Sequence, residues 1–534
     1  MSRSGDDEAR VPSSAMFDHT FRNIADVIRD HAAARPQQPA LVQGHPQNQQ
    51  LTFAELDTLM DRVASALQRD GVRAGDVIAL CGSTTPHQAA LFLGGLRAGA
   101  VVAPLAPSVT PLIFASMLRD AGARLLFVDA AAAALVPADI KPRCVALDAG
   151  APGKPFDEWL AAPGARAHPV TVEPESPFNL IYSSGTTGTP KGIVQPHVMR
   201  WMHMLRGTPY GYGPEAVTVL ATPLYSNTTL VAFFPALGLG GTVVLMGKFD
   251  AAAYLALAER QRATHTMLVP VQYQRIMALP EFGRHDLSSF RMKFSTSAPF
   301  PAALKADVLA RWPGGLIEFY GMTEGGGTCI LEAHRYPDKL HTVGRPAEGH
   351  DMRLIDDDER VVALGEAGEV VGHSPTMMTG YHNQPQRTRE AEWYAPDGKR
   401  FIRTGDIGRF DTDGFLTLFD RKKDIIISGG FNIYSSDLEA NLLEHAAVQD
   451  AAVVGVPSAR WGETPIAFVV RWPGDDICAE DLREWMNARV SKTQRLANLT
   501  CVDELPRNAL GKILKRELRE RYLIEHPRAF HEET

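Results

Sequence analysis

Residues Ile181 to Val194 read IYSSGTTGTPKGIV. An apolar strand end, Leu180-Ile181-Tyr182, runs into Ser183-Ser184-Gly185-Thr186-Thr187-Gly188-Thr189, and then into Pro190, Lys191 and Gly192. Glycines let successive backbone N–H groups turn toward one anion, and the hydroxyls add further donors. Lys191 adds positive charge. Such a segment suits a di- or triphosphate. It is not the nucleotide loop of kinases and GTPases, where the lysine is followed at once by a magnesium-binding hydroxyl. Here Lys191 follows a proline and precedes a glycine. A plain Ser/Gly surface turn is the alternative, and the rest of the chain has to decide.

On the N-terminal side, helix-like and short apolar strand-like stretches alternate. Ile24, Val27, Ile28 and His31 recur at helical spacing and stop before Pro36. Thr52 and Glu55 have capping-box spacing ahead of the stripe Leu56, Leu59, Met60, Val63 and Leu67. Val77–Cys81, Ala100–Ala103 and Leu125–Val128 read as strands. Beyond the loop, residues 217–221, 242–246 and 267–269 continue the pattern. The alternation predicts layered α/β with largely parallel sheets. After about Thr342, short strands with Gly and Asp turns (MRLID, GEVVGHS, FLTLFD) predict a mainly β subdomain. From Arg421 onward, strand and helix mix in a compact α+β unit of common domain size. The expected division is therefore a loose tail over 1–16, a large domain over 17–420 with its β subdomain at about 342–420, and a small domain over 421–534.

The 534 residues exceed one hydrophobic core. With 45% apolar and 22% charged residues the chain has ordinary globular composition. Its net charge of −8, with no dense basic stripe, argues against nucleic acid as a partner. Five separated cysteines (Cys81, Cys144, Cys329, Cys478, Cys501) argue against a disulfide framework or zinc site and for a reducing cytoplasm. All five are expected as buried small hydrophobes. The N-terminus lacks signal-peptide order. The uncharged runs 98–118 and 228–246 contain prolines or glycines, and buried strands and turns are expected there in place of membrane spans.

The loop closely resembles the signature of the adenylate-forming superfamily: acyl-CoA synthetases, aryl-CoA ligases such as 4-coumarate ligase, peptide-synthetase adenylation domains and beetle luciferases. Further motifs follow in the family's order. They are Tyr320-Gly321-Met322-Thr323-Glu324, Val343-Gly344-Arg345-Pro346, Gly365-Glu366-Ala367-Gly368-Glu369, Gly380-Tyr381, Thr404-Gly405-Asp406, Asp420-Arg421-Lys422-Lys423-Asp424 with Ser428-Gly429-Gly430, and Pro506-Arg507-Asn508-Ala509-Leu510-Gly511-Lys512. The resemblance covers nearly the whole chain. It implies a large N-terminal domain, a small mobile C-terminal domain and an active site between them. The implied reaction joins a carboxylate to the α-phosphate of ATP, releases pyrophosphate and passes the acyl group to a thiol. An anion must meet a polyanion, so charge neutralisation and positioning dominate.

By resemblance, Lys512 bridges the substrate carboxylate and the α-phosphate. Thr323 donates to that phosphate, and Glu324 holds Mg²⁺, which commonly joins one or two carboxylates to substrate phosphates. Tyr320 stacks on adenine, with Ser297-Ala298-Pro299 on the opposite face. Ser297 departs from the family's Gly-Gly-Ala-Pro and crowds that wall. Gly321 and Met322 complete the nucleotide motif. Asp406 accepts from the ribose hydroxyls, and Arg421 binds the ribose or phosphate side. Ser183 to Thr189 and Lys191 cover the β- and γ-phosphates. Lys423 is the hinge between adenylation and thioester-forming poses. Ser428, Gly429 and Gly430 line the pantetheine tunnel, with Trp461 nearby.

The acid is read less directly. Gly321, with Gly325, Gly326 and Gly327 following, stands where acetate-activating relatives carry a closing tryptophan, so the acyl group is larger than acetate. Tyr225 and Ser226 replace an aromatic-histidine pair, and Thr228, Met322 and Gly326 help shape the pocket. No cation is evident there, which favours a monocarboxylic acid with an apolar chain or an aromatic ring. CoA is the expected acceptor, since too few residues follow Lys512 for a carrier module. An acyl-AMP ligase loading a separate acyl carrier protein is the alternative, and a catalytically silent nucleotide- or acyl-binding homologue is a third reading. The resemblance leaves a homodimer open.

Overall fold

The computed structural model describes residues 20–44, 49–137, 143–183, 191–508 and 511–526. The expected tail over 1–16, and Ser184, Gly185, Thr186, Thr187, Gly188 and Thr189 of the loop, lie outside the described residues, as do Ala509 and Leu510. The chain divides into two compact units. The first holds the described residues up to Leu340, then Pro346–Asp351 and His373–Ile402. The second holds His341–Arg345, Met352–Gly372 and the chain from Arg403 on.

In the first unit, one sheet contains in spatial order Thr328–Glu332, Gly315–Gly321, Met292–Ser295, His265–Leu268, Val217–Leu220, Thr242–Leu245, Pro39–Gln43 and Gln50–Thr52. The six inner strands are mutually parallel, and the two end ones antiparallel. The second sheet runs Gly380–Tyr381, Lys191–Pro196, Pro177–Ser183, Val101–Pro104, Val77–Cys81, Leu125–Val128, Arg143–Ala146 and Lys154–Pro155. One buried cluster joins Val102 and Leu125 of this sheet to Leu220 and Val243 of the other. It takes in Phe53, Met60, Leu93, Phe234 and Leu237 from helices. Burial of this apolar surface stabilises the unit at about 25 cal/mol per Å².

Local signals set the elements. Thr52 and Glu55 form the full capping box at the start of Phe53–Arg69. Residues 98–118 hold the strand Val101–Pro104 and the start of the helix Pro111–Ala121. Residues 228–246 hold a helix, Asn227–Gly238, followed by the strand Thr242–Leu245. The expectation of strands and turns in these runs is thus corrected by two helices. Asn227–Gly238 is apolar on nearly all faces because it is buried on nearly all faces, which removes the amphipathic period. Among the described residues no helix is long and apolar enough to cross a membrane.

In the second unit the strands Gly462–Arg471 and Val448–Ser458 pair along almost their whole length, with Ile426–Ser428 and Asn498–Cys501 also paired to Gly462–Arg471. Alternation along Val448–Ser458 separates two cores. Ala451 and Val453 face Leu438, Leu442 and Leu482, while Ala452 and Val454 face Leu518 and Tyr522. The last helix begins at Lys515, so Lys512 stands on the preceding loop. The cysteine expectation also needs correction. Cys81 and Cys329 are buried, Cys144 and Cys501 half-buried, and Cys478 is exposed. Cys478 caps the helix Ala479–Asn487, its Sγ accepting from Asp481 N at 3.3 Å.

Candidate active site

The loop's two flanking strands, Pro177–Ser183 and Lys191–Pro196, pair antiparallel, with Ser183 opposite Lys191 and Asn179 opposite Gln195. These last two are polar residues on fully buried positions. Their partner is Arg200, on the helix His197–Leu205 and 0% exposed. Its guanidinium donates to Asn179 Oδ1 at 3.3 Å, to Asn227 Oδ1 at 2.8 Å and to Gln195 Oε1. Gln195 Nε2 in turn donates to the Thr323 carbonyl at 2.7 Å. No carboxylate pairs with Arg200 among the described residues, and burial pulls its pKa down to about 9. It stays cationic at neutral pH. Four neutral amide or carbonyl groups thus tie together the loop's flanks, the first turn of Asn227–Gly238 and the Thr323-Glu324 segment.

That segment lies between the antiparallel strands Gly315–Gly321 and Thr328–Glu332, with Tyr320 opposite Cys329 and Gly321 opposite Thr328. Met322 to Gly325 closes as a turn, Gly325 N donating to the Met322 carbonyl at 3.0 Å. Gly325 (φ 75) and Gly327 (φ 84) supply the left-handed conformations the return requires. Gly326 is buried and Gly321 exposed. Glu324 is held from two sides. Its carbonyl accepts from Met378 N at 2.8 Å, and its Oε1 accepts from the Tyr381 phenol at 2.8 Å.

Met292 pairs with Gly315 and Ser295 with Glu318, so Ser297 follows the C-terminal end of the strand next to the one that carries Tyr320, the kind of strand end where α/β sheets bind ligands. Ser297 adopts φ 82, a left-handed conformation that costs a non-glycine residue about 1–3 kcal/mol. Its Oγ lies 2.5 Å from Thr228 Oγ1, which offsets part of that strain. Ala298 is half-buried and Pro299 exposed beside it. Ser226 caps the helix Asn227–Gly238, its Oγ accepting from Thr228 N at 3.2 Å. Tyr225 bonds Ser108, and burial raises its phenol pKa. The structure therefore groups Ser226, Thr228 and Ser297, and places Tyr320 and Gly321 at the end of the strand Gly315–Gly321 with Met322 just beyond it.

In the second unit, Asp406 and Arg421 are cross-strand partners, and Arg421 Nε approaches Asp406 Oδ1 at 2.7 Å. Opposite charges directly across a ladder favour each other, and here they orient the carboxylate. Lys512 follows Gly511 (φ 78), and its N–H donates to Asn508 Oδ1 at 3.0 Å. Desolvation pulls its ammonium down to about 8, although the side chain keeps contact with solvent. Arg421 and Lys423 push the same way, and Asp406 and Asp424 oppose. Lys423 is lowered too, mainly by desolvation. Ser428 is buried and ends the strand Ile426–Ser428. Gly429 (φ 58) and Gly430 (φ 81) form the two-residue turn to Phe431–Ile433, a conformation with both φ positive. Gly429 N donates to the Trp461 carbonyl at 2.8 Å, and a Cβ at Gly429 would sit 2.9 Å from the Trp461 ring. The Arg460 guanidinium lies over that ring, 4.9 Å from its centroid.

Glu324 is a single carboxylate, and no group of three or more metal-type side chains exists among the described residues. Its Oε2 takes no partner among them. That donor set fits a Mg²⁺ arriving with a triphosphate, which keeps phosphate and water ligands, better than a resident ion.

Sequence reasoning missed Arg200, Gln195 and Asn227, and gave Tyr381 no role. The signal for the first group was available: Asn179 and Gln195 interrupt strands that otherwise read as apolar, and buried polar groups need partners.

The chain matches the AMP-binding enzyme family over residues 28–382 and the AMP-binding enzyme C-terminal domain over 437–512. A feruloyl-CoA synthase from an Amycolatopsis species is 35% identical over 88% of this chain and 94% of that protein. The fatty acid–[acyl-carrier-protein] ligase ScoC of Streptomyces coeruleorubidus is 31% identical over 94% of this chain and 97% of its own length. Among solved structures, the amide bond synthetase McbA from Marinactinospora thermotolerans superposes with a TM-score of 0.83 at 29% identity, covering 93% of this chain and 99% of that one. The chain belongs to the AMP-binding enzyme family, the adenylate-forming superfamily, and is an AMP-forming ligase.

Proposed function

We propose that this enzyme activates a monocarboxylic acid larger than acetate as its acyl-AMP, with release of pyrophosphate, and transfers the acyl group to the thiol of CoA. The observation that carries the reading is the Thr323-Glu324 segment, fixed from both sides by Gln195 and by Tyr381, whose ring lies under Lys191. Rigid placement of donors around a developing pentavalent phosphate is what this chemistry needs. In the first half-reaction the substrate carboxylate attacks the α-phosphorus and pyrophosphate leaves. Thr323 donates to the α-phosphate, and Lys512 offsets the charge shared by the carboxylate and that phosphate. Lys191 and the residues Ser183 to Thr189 hold the β- and γ-phosphates. Glu324 would hold Mg²⁺, which would supply neutralisation of the triphosphate. Tyr320 and Ser297–Pro299 take adenine. Asp406, oriented by Arg421, accepts from the ribose hydroxyls, a task for an acceptor-only group.

In the second half-reaction the CoA thiolate attacks the acyl carbon and AMP leaves. Ser428, Gly429, Gly430 and Trp461 form the pantetheine path, and Lys423 is the pivot of the small domain. The acyl pocket is bounded by Tyr225, Ser226, Thr228, Gly321, Met322 and Gly326. No cationic side chain is among them, which favours an apolar chain or an aromatic ring, and the similarity to a feruloyl-CoA synthase supports the aromatic one.

Pyrophosphate release across hydroxycinnamic, arylacetic and fatty acids, with CoA present and absent, tests the proposal. One acid class should release pyrophosphate and give a CoA thioester. Thioester formed only on a carrier protein would replace CoA as acceptor, and absence of ATP binding would defeat the reading. Lys512→Ala should lower pyrophosphate release by about a hundredfold or more yet keep thioester formation from supplied acyl-AMP. Near-normal adenylation in that variant removes Lys512 from the first step.

A further inference from the structure

The dipeptide Gly380-Tyr381 touches no substrate in the chemistry above, yet its tyrosine stands between two groups that do. Tyr381 is 7% exposed. Its phenol donates to Glu324 Oε1 at 2.8 Å, and the Lys191 Nζ lies over its ring, 4.8 Å from the centroid. Lys191 and Glu324 carry opposite charges at this short remove, but no ion pair joins them among the described residues. Each instead contacts a different part of one tyrosine.

The backbone around Tyr381 is fixed on both sides. Gly380 and Tyr381 pair antiparallel with Val194 and Ile193, on the strand that leaves the phosphate loop. His382 N donates to the Gly192 carbonyl at 2.7 Å, beside Lys191 itself. Tyr381 N donates to Thr388 Oγ1 at 2.9 Å. From the other direction, Met378 N donates to the carbonyl of Glu324. The ring is therefore set in position by the main chains of the two segments whose side chains it touches. Burial, with Glu324 adding to it, pushes the phenol above its ordinary pKa, so it is a permanent donor and no acid–base group.

We propose that Tyr381 is a positioning residue that keeps Lys191 and Glu324 apart, preventing an ion pair between them and holding the cation for phosphate and the carboxylate for the metal. An ammonium over an aromatic face keeps most of its charge available, because the ring neutralises nothing. A carboxylate accepting one phenol keeps its second oxygen. If the two charges paired, each would lose its first partner on ATP and the pair would have to break before nucleotide could bind.

The inference rests on the adenylation reading, and the experiment separates the two. Tyr381→Phe keeps the ring over Lys191 and loses only the phenol. Tyr381→Leu loses both contacts. Affinity for α,β-methylene-ATP is measured by calorimetry with and without Mg²⁺, alongside the Mg²⁺ concentration for half-maximal pyrophosphate release. Tyr381→Phe should raise that concentration about tenfold and remove most of the Mg²⁺-dependent gain in analogue affinity, leaving the Mg²⁺-free affinity unchanged. Tyr381→Leu should also weaken the Mg²⁺-free affinity. Thioester formation from supplied acyl-AMP should stay within about twofold in Tyr381→Phe, a split that a loss of folding would not produce. A wild-type Mg²⁺ requirement in Tyr381→Phe, or equal loss of both half-reactions, overturns the proposal. A wild-type protein that binds the analogue but adenylates no acid defeats the functional reading instead, and the calorimetric comparison still decides the role of Tyr381.

Discussion

Lys512 carries its charge at a disadvantage. Desolvation and two neighbouring cations bring its pKa to about 8, against the ordinary value of 10.5. The charged form predominates below that value and is lost above it. If adenylation needs the ammonium, kcat/KM for pyrophosphate release should fall as pH rises through about 8, since this parameter reports the free enzyme. Lys512→Arg, which cannot deprotonate in this range, should show a lower rate with no alkaline limb. A limb of the same midpoint in that variant would assign the titration to another group. The position of Lys512 was legible because its motif is local, from Pro506 to Lys512. Its lowered pKa was not, because it comes from desolvation and from Arg421 and Lys423, brought about by folding.

At the level of elements, the hydrogen bonds of Gln195 make the strand after the loop a support for Thr323, 128 positions further along the chain. Gln195→Leu preserves size and apolar packing but removes this bond and one acceptor of Arg200. Leaving buried polar groups unpaired costs about 1–3 kcal/mol. Adenylation should drop about tenfold to a hundredfold by misplacing Thr323, while thioester formation from supplied acyl-AMP stays close to wild type. Equal effects on both steps would mean that the strand is merely destabilised. Strand edges and caps in this unit were readable beforehand, as at Val77–Cys81, Leu125–Val128 and Thr52-Glu55, because their signals lie within a few residues. The Arg200 contacts were not, because each joins separate segments. The helix Asn227–Gly238 was missed for a different reason: full burial makes it apolar all round, and periodicity cannot then tell helix from strand.

At the scale of the molecule, the two compact units divide the candidate site residues between them. Thr323, Glu324 and Tyr320 belong to the first, and Asp406, Arg421 and Lys512 to the second. We expect Lys423 to act as the pivot of the small domain. Lys423→Pro, which fixes φ and removes a backbone donor, should suppress thioester formation from supplied acyl-AMP far more than pyrophosphate release. Similar losses in the two assays would place the pivot elsewhere.

Arg200 also has a consequence for ionic strength. Dissolved ions screen charges that reach solvent and screen buried ones much less. Arg200 is fully enclosed, cationic at neutral pH and one glutamine away from the Thr323 peptide, whereas Lys191 and Lys512 both meet solvent. The attraction of this protein for a triphosphate should therefore contain a component that added salt erodes and a residue of positive potential that it does not. Affinity measured from dilute buffer to high salt should level off above zero instead of declining along one straight line.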